Sequence, residues 1–111
     1  MINVDLLINN KDQIVGFEIE GHAEYDEYGK DLVCSAVTIL AYSCVNSLDK
    51  YVDDVSFEDD EIVMSVSITS PNRDTDIIFD YFKTGIETLL GNYSSYVKLK
   101  YKEKSDIQLC V

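Results

Sequence analysis

The spacing of apolar residues switches back and forth along this chain between two patterns, and this switching constrains the fold more than any other feature. An apolar residue at every second position is typical of a half-buried strand, whereas spacings of three and four are typical of a helix with one buried side. The alternating pattern predicts strands at 2–8, 13–20, 61–69 and 96–102, and a shorter strand around Val55 and Phe57. The helical spacing predicts helices at 32–50 and 73–90. The buried stripe expected on the second helix consists of Ile77, Ile78, Tyr81, Phe82, Ile86, Leu89 and Leu90.

These predicted elements follow one another in the order ββαββαβ. Helices that follow hairpins favour a two-layer α+β sandwich, with both helices packed on one face of a sheet. A chain of 111 residues has the usual length of one domain, so we expect residues 1–111 to form a single domain. Asp31 is a suitable N-cap for the first helix, and Gly91 suits the end of the second.

The chain is strongly acidic, with 21 Asp and Glu against nine Lys and Arg and a net charge of −12. Nucleic acids and anionic membranes both attract cationic side chains, so this charge excludes autonomous nucleic-acid binding and disfavours membrane adhesion. The charge is uneven, because residues 98–111 carry four bases and two acids. An acidic protein of this kind attracts basic partners.

The cysteines and the first residues of the sequence indicate the cellular compartment in which the protein is expected. The sequence begins without a basic stretch followed by a long apolar one, so it predicts no secretory signal. Three cysteines without paired spacing do not predict a disulfide framework, and we expect a cytoplasmic protein with reduced thiols. The chain lacks the Cys and His spacings of a metal site and a glycine-rich phosphate loop, so no metal and no other cofactor is expected.

Two residues are candidates for chemistry. His22, the single histidine, opens a stretch without periodicity at 21–31, which predicts a loop longer than a typical connection. Cys34 follows Asp31 by three residues, in the expected first turn of a helix, where unpaired N–H groups and the helix dipole lower the pKa of a thiol. A thiolate beside an imidazole suits acyl transfer. A buried cysteine that only packs explains Cys34 equally well, and core packing is the better interpretation for Cys44.

The segment 21–37 adds a longer pattern, which resembles the ribosomal-processing cysteine protease family Prp. That family shows Gly-His-Ala, a loop ending in Gly-x-Asp, and then a hydrophobic pair and Cys-x-Ala-Val at the start of a helix. The residues that fill the pattern here are Gly21-His22-Ala23, Gly29, Asp31, Leu32-Val33-Cys34 and Ala36-Val37. The next residue, a serine in the family, is Thr38. Length and element order also fit, so the resemblance covers essentially the whole chain.

The resemblance implies that Cys34 is the nucleophile and His22 the general base, with Gly21 and Gly29 as hinges of the loop over the site. It also implies a bacterial, cytoplasmic homodimer. Members of the family remove a short N-terminal extension from large-subunit ribosomal protein twenty-seven. On this basis we expect the N–H groups near Cys34 and Ser35 to hold the oxyanion.

Four acidic residues near the loop receive supporting roles. Asp31 either orients His22 or only caps the helix, and capping is favoured. Glu24, Asp26 and Glu27 are expected to meet a basic substrate, the N-terminal extension of a ribosomal protein.

Three rival functions stay open at this stage. A non-enzymatic acidic adaptor or ribosome-assembly factor that binds a basic protein would use the same charge and would need neither His22 nor Cys34. A cysteine hydrolase of another amide or thioester would use the same pair in a different cleft. A redox role is disfavoured, because no resolving cysteine lies near Cys34 in the sequence.

Overall fold

The computed structural model describes residues 1–21 and 28–103, and for residues 28–31 it describes the backbone alone. Within these described residues, five strands and two helices follow one another in the predicted order ββαββαβ, which is confirmed. The elements are β1 (Ile2–Ile8), β2 (Ile14–Glu20), α1 (Tyr28–Leu48), β3 (Ser56–Asp59), β4 (Val63–Ser67), α2 (Arg73–Tyr93) and β5 (Val97–Glu103).

The strands form one sheet in the order β3-β4-β2-β1-β5. Neighbours are antiparallel except β1 and β5, which run parallel. A parallel pair requires a long crossover, and α2 supplies the last part of it by returning the chain to the end of the sheet at which β1 begins. The short turn from β1 to β2 is held by Asn9, whose side-chain oxygen accepts hydrogen bonds from the backbone N–H groups of Lys11 and Gln13 at 2.9 and 3.0 Å.

The core lies between the sheet and the two helices. Alternate residues of the strands are fully buried against the helices, for example Val4, Leu6 and Ile19. The ring of Phe17 on β2 stacks on that of Phe82 on α2, with 4.3 Å between ring centroids and 13° between ring planes. The opposite face of the sheet carries polar and charged residues, so the predicted two-layer α+β sandwich is confirmed.

The first helix begins earlier than predicted, at Tyr28 and not at residue 32. Asp31 is therefore the fourth helical residue, and its assignment as N-cap is wrong. A negative charge is favourable anywhere in the first turn, because all of its N–H groups point towards the helix end, and Asp31 gives the same sequence signal from either place. Gly29 lies in this first turn and not in the loop, and Cys34 lies in the second turn.

The second helix begins at the predicted residue and ends later. Asn72 accepts a hydrogen bond from the backbone N–H of Thr75 at 2.9 Å, and the Thr75 hydroxyl oxygen accepts one from the Asn72 N–H at 2.8 Å, which forms a capping box. Gly91 lies inside α2, so its assignment as the C-terminal cap is wrong, and Ser94 is the C-cap. The helix continues because Tyr93, in its last turn, still packs against the core.

Two residues assigned to the buried stripe of α2 are exposed, Ile77 by 57% and Tyr81 by 75%. The buried positions are instead Phe79, Phe82 and Ile86. Each helical residue advances by about 100°, so Ile77 points roughly 160° away from Phe79 and both cannot face the sheet. The prediction used apolar residues at spacings of three and four, and in α2 such residues lie on both the buried and the exposed side of the helix.

Candidate active site

Gly21 directly follows the last residue of β2 and is the first residue of the Gly21-His22-Ala23 segment. Its backbone has a φ of +91°, a conformation that side chains rarely adopt. A Cβ at this position would also lie 2.6 Å from the backbone oxygen of Met1. Only glycine satisfies both conditions, so the chain needs Gly21 to turn out of the sheet directly before His22. His22 and the predicted steering acids Glu24, Asp26 and Glu27 lie outside the described residues.

Cys34 is the seventh residue of α1, and its side chain is fully buried. It belongs to the same continuous core as its neighbours Val33 and Val37. The Thr38 hydroxyl, one turn further on, donates a hydrogen bond of 2.7 Å to the Cys34 carbonyl oxygen. The backbone at Cys34 is thereby fixed within a regular helix, and the thiol faces the interior of the protein.

The position of Cys34 in the second turn changes its expected surroundings. At the start of an α-helix, only the N–H groups of the N-cap and of the first three helical residues lack a partner inside the helix, and in α1 those helical residues are 28–30. The N–H groups of Cys34 and Ser35 lie beyond that turn, so the prediction that they hold an oxyanion is wrong. The helix dipole also acts less on Cys34 than predicted, because its effect falls off within the first turn.

Cys44 lies on the buried side of the same helix and is 5% exposed. Burial raises the pKa of its thiol to about 12, because a thiolate loses its hydration in an apolar environment. A thiol with this pKa stays protonated near neutral pH and is a poor nucleophile. The prediction that Cys44 packs in the core is confirmed.

Acidic residues on the open face of the sheet meet lysines of β5. Lys102 donates a hydrogen bond of 3.2 Å from its Nζ to Oε1 of Glu18, and Lys100 Nζ lies 3.9 Å from Oδ1 of Asp5. The parallel pairing of β1 with β5 places Asp5 opposite Lys100. The lysines of β5 thus balance part of the acidic charge on the open face of the sheet.

The described residues contain no group of three His, Cys, Asp or Glu side chains that is arranged to hold a metal ion. Among the described helices, neither is both long enough and apolar enough to span a membrane.

A groove of about 230 Å³ lies between α1 and α2, which the sequence did not predict. Its lining is mostly apolar and includes Leu40 of α1 and Ile77, Ile78, Tyr81 and Phe82 of α2. Two of its lining residues, Ile77 and Tyr81, lie four positions apart in the sequence, a spacing that puts them on one side of α2. That spacing indicated an apolar surface, but the sequence prediction assigned both residues to the core.

A comparison with known protein families identifies the family to which this chain belongs. The family model described as cysteine protease Prp matches residues 1–98, which include the strand before Gly21, the motif segment, Cys34 and most of the sheet. The chain belongs to the cysteine protease Prp family. It is a cysteine protease, as the resemblance implied, and the match covers both parts of the Gly-His-Ala and Cys-x-Ala-Val pattern.

Individual relatives of the Prp family agree with this placement. The ribosomal processing cysteine protease Prp of Staphylococcus aureus (strain Mu50) is 26% identical over 106 residues, covering 92% of this chain and all of the relative. The protein of the same description from Bacillus subtilis (strain 168) is 38% identical over 48 residues, 43% of each chain.

Solved structures show the same fold. The crystal structure of SMU.848 from Streptococcus mutans has a TM-score of 0.81 and 30% identity, over 94% of this chain and 99% of that one. The structure of Prp from S. aureus in complex with a substrate peptide has a TM-score of 0.82 and 24% identity, over 92% of this chain and all of that one.

Proposed function

We propose that this chain is a cytoplasmic ribosomal-processing endopeptidase that removes the short N-terminal extension of large-subunit ribosomal protein twenty-seven. The observation that carries the proposal is the family match over residues 1–98, which spans both Gly21-His22-Ala23 and Cys34. The S. aureus relative is described as a ribosomal processing protease, and it aligns over 92% of this chain. Residues 1–111 act as one protease domain, and the active protein is a homodimer.

In the proposed mechanism, His22 accepts the proton of the Cys34 thiol, and the sulfur attacks the carbonyl carbon of the scissile peptide bond. The tetrahedral intermediate collapses, the C–N bond breaks, and His22 gives its proton to the leaving amine. Water then attacks the thioester while His22 accepts one of its protons. The carboxylic acid leaves and the proton returns to the Cys34 sulfur.

Full burial of Cys34 adds a requirement to this mechanism. A side chain with no exposed surface reaches a peptide only if its neighbours move when the substrate binds. The positive φ of Gly21 supports its role as a hinge, whereas the helical position of Gly29 makes it a poorer one. Asp31, no longer needed as a cap, orients His22 in this proposal, and Glu24, Asp26 and Glu27 attract the basic substrate.

Incubation with the ribosomal protein twenty-seven of the same genome, followed by intact-mass measurement, tests the function. The wild-type chain is expected to shorten the substrate at its N-terminus. We expect Cys34→Ala to lower the rate at least about 1000-fold, because the nucleophile is lost. Cys44→Ala is the matched control, since it removes the other buried thiol of the same helix and is expected to keep the rate within a few-fold.

The outcomes separate the rival functions. If Cys34→Ala still shortens the substrate, the proposed nucleophile is wrong. If the ribosomal protein is not cleaved but a thiol-directed peptide electrophile labels Cys34 rapidly, the chain is a cysteine hydrolase with another substrate. If there is neither cleavage nor labelling, an acidic adaptor explains the chain better.

A further inference from the structure

The turn between β3 and β4 lies at the end of the sheet where β2 ends and Gly21 follows. Glu20, the last residue of β2, pairs with Val63, the first residue of β4. These two strands are antiparallel, so Gly21 and Ile62 are the next residues outward from this pair. The turn therefore stands beside the position from which the chain continues to His22.

Aspartate side chains fix the backbone of this turn. Oδ1 of Asp60 accepts hydrogen bonds from the N–H groups of Ile62 and Val63 at 2.9 and 2.8 Å. Oδ1 of Asp59 accepts one from the N–H group of Glu61 at 3.0 Å. Glu61 has a φ of +72°, a conformation that residues with side chains rarely adopt, and the neighbouring hydrogen bonds stabilise it. The turn is thus ordered before any peptide binds.

The same turn is attached to the helix that carries Cys34. The Tyr42 hydroxyl on α1 donates a hydrogen bond of 2.9 Å to Oδ2 of Asp59. The Tyr42 ring also meets the ring of Phe57 on β3 edge-on, with 5.6 Å between ring centroids. Cys34 precedes Tyr42 by eight residues, which is about 12 Å along the helix axis. An extended peptide advances about 3.3 Å per residue, so a peptide held at Cys34 extends as far as the turn within about six residues.

Ile62 is the large apolar side chain that this turn exposes. It follows four consecutive acidic residues, 58–61, and it is 69% exposed. A single exposed apolar residue is ordinary on a protein surface. What distinguishes Ile62 is its fixed place beside Gly21. Because β2 lies between β4 and β1, Gly21 has Ile62 on one side and Met1, which is 52% exposed, on the other.

We propose that Ile62 is a specificity-determining residue that contacts an apolar side chain of the substrate peptide at one fixed position relative to the cleaved bond. Such a contact removes apolar surface of both side chains from water, which is favourable. Because the turn is already ordered, binding there costs little further conformational entropy. The inference rests on the proposed function, since it takes Cys34 as the nucleophile, and it adds the class of residue that the peptide must carry.

Cleavage of a synthetic library of unrelated peptides, with products identified by mass spectrometry, tests the role of Ile62. The wild type is expected to prefer a large apolar residue at one position within about six residues of the cleaved bond. Ile62→Ala should lower that preference about 10-fold, because the contact loses most of its apolar area. Ile62→Leu should keep the preference, and Ile62→Asp should favour Lys or Arg at the same position. A merely structural role would not move the preference from one class of residue to another.

Tyr51→Ala is the matched control, because it also shortens a large exposed side chain. Tyr51 is 55% exposed, and its N–H group donates a hydrogen bond of 3.0 Å to the carbonyl oxygen of Leu48. Leu48 lies about 21 Å along the helix axis from Cys34, so this change should leave the cleavage profile unchanged. Exposed positions tolerate substitution, and far-UV circular dichroism checks that each variant is folded.

Either of two results overturns the inference: equal preferences in the wild type and Ile62→Ala, or a wild type that cleaves the library without an apolar preference or does not cleave it. A wild type that leaves the ribosomal protein intact but cleaves library peptides with the expected preference would contradict the proposed substrate alone. A wild type that shortens the ribosomal protein while Ile62→Ala keeps the full library preference would contradict the role of Ile62 alone.

Discussion

At the scale of single residues, Cys34 and Cys44 show how little the burial of a cysteine says about its role. Both thiols lie on the inner side of α1, ten residues apart. Cys44 has a pKa raised to about 12 by burial, which keeps it protonated and unreactive. Cys34 follows the Gly21-His22-Ala23 motif in the sequence and carries the proposed chemistry. The proposed difference between them rests on the sequence motif to which Cys34 belongs and not on exposure.

The raised pKa of Cys44 leads to a prediction about alkylation. At about pH 8, four units below its pKa, only about one Cys44 in 10,000 is a thiolate. Iodoacetamide should therefore leave Cys44 unmodified in the folded protein for hours and modify it within minutes in urea, where the thiol regains its ordinary pKa. Peptide mapping by mass spectrometry measures both. Equal modification of Cys44 with and without urea would contradict the assigned burial.

At the scale of elements, the ends of the two helices depend on different interactions. The start of α2 is fixed locally, since Asn72 and Thr75 exchange two hydrogen bonds within four residues and Thr75 is fully buried. The end of α2 is fixed by packing, because Tyr93 continues to contact the core past Gly91. Sequence signals therefore located the first boundary correctly and placed the second too early.

The capping box of α2 gives a second prediction. Asn72→Ala removes the acceptor for the Thr75 N–H and should lower the free energy of unfolding by about 1 kcal/mol. Asn72→Asp is the control, because its carboxylate accepts the same hydrogen bond and adds a favourable negative charge at the helix start. Urea denaturation measures both variants. If the aspartate variant loses as much stability as the alanine variant, the side-chain oxygen does not supply the cap.

At the scale of the whole molecule, the stacked rings of Phe17 and Phe82 join the sheet to the helix layer. The two residues are 65 positions apart in the sequence, and both are almost completely buried. Such a contact couples β2 to α2 directly, and β2 is the strand that ends immediately before Gly21. The strand that precedes the Gly21-His22-Ala23 segment is thus held by the same core that positions α2.

The stacked pair gives a third prediction. Phe82→Ala should lower the free energy of unfolding by about 3–5 kcal/mol, because it leaves a cavity and removes the ring contact. Ile62→Ala, at an exposed position, should change it by less than about 0.5 kcal/mol. Urea unfolding at one fixed protein concentration measures both. A loss below about 1 kcal/mol for Phe82→Ala would mean that the two layers do not depend on this contact.

The sequence by itself determined the number, type and order of the elements, because strand and helix periods are local properties that a few residues express. It also determined the pattern of Gly21, His22 and Cys34 that places the chain in its family. Gly21 was recognisable because its neighbours in the motif are adjacent in the chain.

Only the tertiary structure decided what depends on distant contacts. Because α1 begins at Tyr28, Cys34 lies in the second turn and its N–H group does not have the expected role. The sequence could not locate this start, since an aspartate such as Asp31 is favourable at several positions of a first turn. Ile77 and Tyr81 became an exposed face because the sheet can cover only one side of α2. The pairing of Lys100 with Asp5 required β5 to lie parallel to β1, which joins residues far apart in the chain. Periodicity is set by neighbours along the chain, whereas burial, charge pairing and helix ends are set by neighbours in space.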